Sequence, residues 1–155
     1  RMTENIVRHH ARVRREYGTT PFVEGSDGQL SQVFINLLVN AAQAIGDGAA
    51  ESKDIVVATY TDEEGRAVAE VRDTGPGIPA ELQARIFDPF FTTKPVGEGS
   101  GLGLSICHSL IRAHGGEIRL NGTGPQGTVF HVVVPDAVVE LRPGRRGARN
   151  RAAGA

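Results

Sequence analysis

The sequence predicts a single α/β domain, on three observations. The stretch from Gln29 to Ile45, QLSQVFINLLVNAAQAI, carries no charge and repeats apolar residues at three- and four-residue steps, the pattern of a buried helix. Ile55–Thr61 and Ala67–Arg72 are β-rich runs on either side of Asp62-Glu-Glu-Gly65, the pattern of a hairpin. A second helical pattern after Gly101 leads into two more β-rich runs, Glu117–Leu120 and Thr128–Val134. The 155 residues suffice for one domain with a real core and are too few for two. With 39% hydrophobic and 23% charged residues and a formal net charge of −1, the chain has no bulk attraction to nucleic acid or membrane. No apolar run is long enough to span a bilayer and no signal peptide opens the sequence, which starts without an initiator Met and is expected to be an excised domain. The single cysteine, Cys107, excludes an internal disulfide and reads as a small buried apolar residue in a reducing compartment.

Taken in order, His10–Tyr17 alternates loosely and reads as an edge strand with charged outward positions, ended by Gly18 and Pro21. Gly25-Ser-Asp-Gly28 supplies caps for the long helix, which closes before Gly46 and Gly48. The hairpin's second strand runs directly into Asp73-Thr-Gly-Pro-Gly-Ile78. Pro79 suits the first position of a short helix, expected over Pro79–Ile86, because its missing N–H is harmless there. Phe87-Asp-Pro-Phe-Phe-Thr-Thr-Lys94 follows, then a glycine-alternating segment to Ser100 that reads as a mobile loop; Phe87, Phe90 and Phe91 are expected to anchor it in the core. A helix begins near Gly101, turns Leu104, Cys107 and Ile111 inward, and stops at Gly115-Gly116. The last two strands are expected to be joined by a loop over Asn121–Gly127 and ended by Pro135. This gives one domain over residues 1–140. Residues 141–155, rich in Arg, Gly and Ala without an aromatic or a period, read as a solvated tail or linker.

Ligand chemistry starts on the long helix. Opposite its apolar stripe, Gln29, Gln32, Asn36, Asn40 and Gln43 recur at helical steps and stack into a line of uncharged amides. A surface helix would carry Lys and Glu there and a core helix aliphatics, since a buried amide without a partner costs about 1–3 kcal/mol. Either these amides bond neighbouring backbone, or they serve a ligand. Amide oxygens are hard, neutral donors suited to Mg²⁺, which shares its remaining positions between water and nucleotide phosphates. Three further segments carry ligand-type chemistry: Asp73 with its glycines, Phe87–Lys94, and Gly99-Ser-Gly-Leu-Gly-Leu104. The last matches neither the P-loop nor the dinucleotide fingerprint. His108, His114 and His131 stand at scattered surface or strand positions without metal-ligand spacing, so no zinc site is expected.

In order and spacing, these four segments resemble the catalytic and ATP-binding domain of sensor histidine kinases, within the wider family of ATPases that includes gyrase, Hsp90 and MutL. The resemblance covers Gly25 to Pro135. It implies a two-layer α/β sandwich: a mixed, mainly antiparallel sheet, about three helices on one face, and ATP under a flexible lid. Carried onto this sequence, Asn40 would coordinate Mg²⁺, Asn36 would support metal and phosphates with a catalytic part, and Gln43 would lie near the phosphates. Many relatives have Lys or Arg at the position of Gln43. Lys94, in a Thr-Thr-Lys sequence typical of the nitrogen-sensor-like subgroup, is the candidate to supply that charge and is counted with Asn36 as catalytic. Asp73 would accept from the exocyclic amine of adenine, as a carboxylate is an acceptor only and would meet the guanine carbonyl with like polarity. Gly75 and Gly77 would let the backbone pass close to the base, and Ile78 and Phe91 are counted with the nucleotide-binding residues. Gly101 and Gly103 would present backbone N–H groups to phosphates at a helix N-terminus, with Ser100, Leu102 and Leu104 counted beside them as nucleotide-binding, and Thr128, in Gly-Thr-Val-Phe, would border the adenine pocket.

The resemblance implies transfer of the γ-phosphoryl group of Mg-ATP to a histidine outside this chain. The implied partners are a dimerisation and phosphoacceptor domain and a response regulator receiver domain, with no nucleic acid and no direct membrane contact. Location is expected to be cytoplasmic, whether or not the full-length protein is membrane-anchored. His9-His10 lacks the following acidic residue of a phosphoacceptor, since Ala11 and Arg12 come next. The rivals are an ATP-hydrolysing relative, which would place Glu where Asn36 stands, and a non-catalytic interaction domain.

Overall fold

The structure is a computed structural model and describes residues 7, 10–46, 53–97 and 99–137. Strand β1, Arg12–Tyr17, is followed by helix α1, Asp27–Ile45. Strands β2, Asp54–Thr61, and β3, Ala67–Asp73, form the expected hairpin, closed where the Asp62 carboxylate accepts from the Glu64 and Arg66 backbone N–H groups. A one-turn helix α2, Ala80–Gln83, precedes α3, Gly103–Ala113, and the chain returns through β4, Glu117–Gly124, and β5, Gly127–Val134.

The strands make one five-stranded sheet in the order β1-β2-β3-β5-β4. Only β1 and β2 pair in parallel, because α1 is the crossover between them; the other pairings are antiparallel. Side chains alternate across the sheet, so Ile55, Val71, Ile118, Phe130 and Val132 face the helices, where they join Val33, Leu37 and Ala41 of α1 and Cys107 and Ile111 of α3 in one buried cluster. Asp73 and Thr128 are register partners two residues beyond Val71 and two before Phe130, so the same alternation turns both toward the helices. The two-layer sandwich is thus as expected.

Helix α1 starts where Ser26 caps the Gln29 N–H at 3.5 Å and ends at Gly46. Several boundaries differ from expectation. The first strand starts at Arg12, since His10 and Ala11 donate their N–H groups back to the Val7 carbonyl in a turn. Helix α2 covers only part of Pro79–Ile86, and Pro79 stands before it as N-cap. Helix α3 starts two residues after Gly101. The expected loop at Asn121–Gly127 is mostly strand: β4 continues to Gly124, a bulge at Asn121 absorbs the irregularity, and Pro125-Gln126 alone turn the hairpin.

His131 stands on a strand, as expected, and is buried on the sheet face away from the helices, with Nε2 2.9 Å from Glu70 and Tyr60 edge-on to its ring. Phe90 is not a core anchor. It is 74% exposed, while Phe87 packs on Phe130 and His108 and Phe91 turns inward. The expected tail at 141–155, His9 and Gly48 lie outside the described residues.

Candidate functional site

The mouth between α1, the end of β3 and the N-terminus of α3 is a cleft of ≈ 540 Å³, within the roughly 300–1,000 Å³ range of small-molecule sites. Of the residues that the resemblance assigns to metal or nucleotide, all but Gly75 and Leu102 line it. Its floor is the apolar core, with Leu37, Val71, Ile86 and Phe130 exposing atoms upward.

One end is built by β3 and β5. Asp73 is 6% exposed and accepts from the Gly75 N–H at 2.8 Å and from the Thr128 N–H. Burial pushes its carboxyl above the ordinary range, and the two backbone donors pull part of the way back. Thr128 is buried beside it. Gly75 therefore acts behind Asp73, not on the cleft. The loop from Thr74 to Ile78 is fastened at both ends: the Asp54 N–H donates to the Thr74 hydroxyl at 3.1 Å, and the Ile78 N–H donates to the Thr123 hydroxyl at 2.8 Å. Between them Gly77 has φ +83°, and a Cβ there would run into the Gly124 carbonyl, so neither the conformation nor the contact tolerates a side chain.

The other end is built by α1 and α3. Asn36, Asn40 and Gln43 share one face of α1 and line the cleft, whereas Gln29 and Gln32, earlier on the expected amide line, are solvent-exposed and outside it. The Asn36 amide donates to the Gly103 carbonyl at 3.4 Å, tying α1 to the first residue of α3. The Asn40 side chain makes no hydrogen bond among the described residues, and its amide nitrogen would lie 4.0 Å from a Cβ on Gly103. Leu102 caps α3 without a side-chain bond to the helix, its own N–H donating to the Ser100 hydroxyl at 3.3 Å. The N–H groups opening the helix thus lie at the cleft without a side-chain acceptor. Gly101, with φ +68°, lets this loop press against the Phe90 backbone.

Lys94 reaches across from the loop and donates to the Gln43 side-chain oxygen. Desolvation holds its ammonium below the usual lysine value. Leu104 also lines the cleft, as does Phe91, whose ring is covered by the Arg85 guanidinium 4.7 Å from its centroid. Cys107 stands outside; burial raises its thiol to about 11, as expected of an inert core residue.

Sequence reasoning missed Val71, Phe130 and Thr123. The first two follow from period two along the strands that carry Asp73 and Thr128. Thr123 follows from nothing local, as it lay in an expected loop. Among the described residues no group of three or more His, Cys, Asp or Glu could hold a metal, and no helix is long and apolar enough to cross a membrane.

Residues 25–138 match the family of histidine kinase-, DNA gyrase B-, and HSP90-like ATPases. The chain belongs to this family. Within it, the chain is the catalytic, ATPase-type domain of the sensor histidine kinases. It is 40% identical over 130 residues to sensor kinase CckA of Brucella abortus (strain 2308), covering 77% of this chain and 14% of that protein. The mycobacterial sensor histidine kinase MprB superposes with a TM-score of 0.70 at 30% identity, over 85% of this chain and 89% of that one. Full-length ShkA, solved in complex with AMPPNP, also gives 0.70 at 28% identity, over 86% of this chain and 27% of its own. The chain spans only 14% to 25% of the first curated relatives it matches.

Proposed function

We propose that this domain binds Mg-ATP and donates its γ-phosphoryl group to a histidine on a separate dimerisation domain. The observation that carries the reading is the polarity of the cleft: a buried carboxylate at one end, and at the other a helix N-terminus without a side-chain cap, facing amides and a lysine. Asp73 accepts from the adenine amine, with Thr128, Gly77 and Ile78 beside the base. Ser100, Gly101, Gly103 and Leu104 hold the phosphates at the opening of α3, whose dipole favours anions. Lys94 moves from Gln43 to the phosphates, where its charge is compensated. That ShkA is solved with AMPPNP agrees with this choice of ligand.

The donor set fits a magnesium ion. Asn40 offers one neutral oxygen without a protein partner and Asn36 stands one turn before it, so an ion here would complete its shell with phosphate and water oxygens, as Mg²⁺ does. Its chemistry would be neutralisation of charge on the β- and γ-oxygens. The rest falls to the chain: Asn36 fixes the start of α3, Lys94 offsets charge, and the lid excludes water.

Transfer rather than hydrolysis is supported by the acids present. Asp73 is the one carboxylate among the described residues lining the cleft, and it lies at the base end. Asn36 occupies the helical position from which a Glu would orient water. The dimerisation domain and a response regulator receiver are the partners of this reading, residues 1–140 its domain and 141–155 its linker or tail, and the cytoplasm its location. Calorimetric titration with a non-hydrolysable ATP analogue tests it: binding strengthened by Mg²⁺ is expected, and no binding in either condition overturns it.

A further inference from the structure

Between the Asp73 loop and the β4–β5 hairpin runs a short relay of hydrogen bonds. The Ile78 N–H donates to the Thr123 hydroxyl at 2.8 Å, and Thr123 shares a second hydrogen bond, 3.1 Å long, with the hydroxyl of Thr128. Thr128 is the register partner of both Thr123 and Asp73, so three strands meet at this point. Thr123 is half-buried and faces the loop from β4; it does not line the cleft. The loop has few other fastenings here: Gln83 holds the Ile78 carbonyl at 3.0 Å, and Gly77 rests against the backbone of Gly124. The hairpin is therefore the surface against which the loop is set, and Thr123 is its only side chain bonded to both the loop and the wall of the cleft among the described residues.

We propose that Thr123 is a positioning residue that fixes the spacing between Ile78, Thr128 and Asp73, and thereby sets the selectivity of the cleft for adenine over guanine. A hydroxyl has one proton and two lone pairs. With one lone pair taken by Ile78, its second bond restricts how the Thr128 hydroxyl can turn beside Asp73. Adenine and guanine differ at adjacent edge atoms in which is donor and which acceptor. A small rotation of one hydroxyl or a small shift of the loop is therefore enough to blur the difference. The inference rests on the adenine-nucleotide reading of the cleft.

The test compares the chain with Thr123→Val, which keeps the shape and removes the hydroxyl, and Thr123→Ser, which keeps the hydroxyl. Amide exchange at Ile78 without nucleotide reports the relay itself. Titrations with ATP and with GTP, both with Mg²⁺, report what it does. The valine variant should exchange Ile78 faster, bind ATP roughly three- to tenfold more weakly, as befits one lost hydrogen bond, and discriminate less against GTP. The serine variant should restore both exchange and discrimination, which mere filling of space by a side chain would not. If the valine variant fails to fold, Thr123→Ala carries the same comparison. Wild-type discrimination in the valine variant, or no rescue by serine, overturns the proposal. If the unsubstituted chain binds neither nucleotide, the reading of the cleft fails and takes the selectivity role with it. Unchanged Ile78 exchange in the valine variant overturns the relay on its own.

Discussion

Asn40 and Asp73 line the cleft from different elements, α1 and β3, and give separate tests. The Asn40 side chain makes no hydrogen bond among the described residues, so Asn40→Ala should leave the melting temperature nearly unchanged while Mg-ATP binding weakens. Equal Mg²⁺ dependence in the mutant and the parent would remove the metal assignment. Asp73 is set by burial. Its folded-state value lies above the ordinary 3.8, so it takes up a proton at a higher pH than an exposed aspartate. The protonated form is the weaker acceptor, so ATP affinity should fall as pH drops through that raised value. The stability sign is opposite: the folded state holds this proton more tightly, so this group's contribution declines as pH rises from 3.8 through the folded value. Affinity measured by titration across the acid range checks the first effect; its loss should disappear in Asp73→Asn. Both residues were legible in the sequence because their chemistry contradicts their setting, amides where a helix wants aliphatics and a carboxylate at the end of a buried strand. His131 was not, since a histidine in a β-rich run says nothing about which face it takes; its partner Glu70 is supplied by a neighbouring strand.

At the scale of elements, the lid carries the clearest expectation. Residues 92–97 have few buried groups, and among the described residues Lys94 is held across the cleft by Gln43 alone. Amide exchange over residues 92–100 should be fast without nucleotide and slowed with it; equal rates in both states would exclude closure on the ligand. The long helix and the first hairpin were legible because each has a strong period and its own punctuation. The second hairpin misled for a physical reason. Gly122, Gly124 and Gly127 carry no side chain to alternate, so β4 and its turn look like loop; they are held in the sheet by pairing with β5, which only the folded chain supplies. Helix α3 starts later than its glycines suggest because Gly101 is spent on a left-handed turn against Phe90.

For the molecule as a whole, sheet order was the part least legible from composition and period. Neither reveals that β5 inserts between β3 and β4, or that β1 runs parallel to β2. The proposed reaction is also a whole-molecule property, because its proposed acceptor lies on a separate domain. Incubated with labelled ATP, the chain should hydrolyse it very slowly and stay unlabelled; adding the cognate dimerisation segment should give an acid-labile, base-stable phosphohistidine on that segment. Vigorous turnover by the chain alone would instead point to hydrolysis.

The pairing of Asp73 with Thr128 also governs when the cleft comes into existence. The β2–β3 and β4–β5 hairpins join neighbours in sequence, whereas β3–β5 must close over α2, the lid, α3 and β4, and β1–β2 over the whole of α1. Long closures of this kind are the slow, entropically costly ones. Partly folded chains with both hairpins intact would have a carboxylate but no wall opposite it, and so no affinity for the base. Nucleotide should accordingly leave the refolding rate untouched and retard unfolding, a difference that stopped-flow traces with and without Mg-ATP would resolve. Bound ligand would then act on the lifetime of the native state alone, never on the search that leads to it.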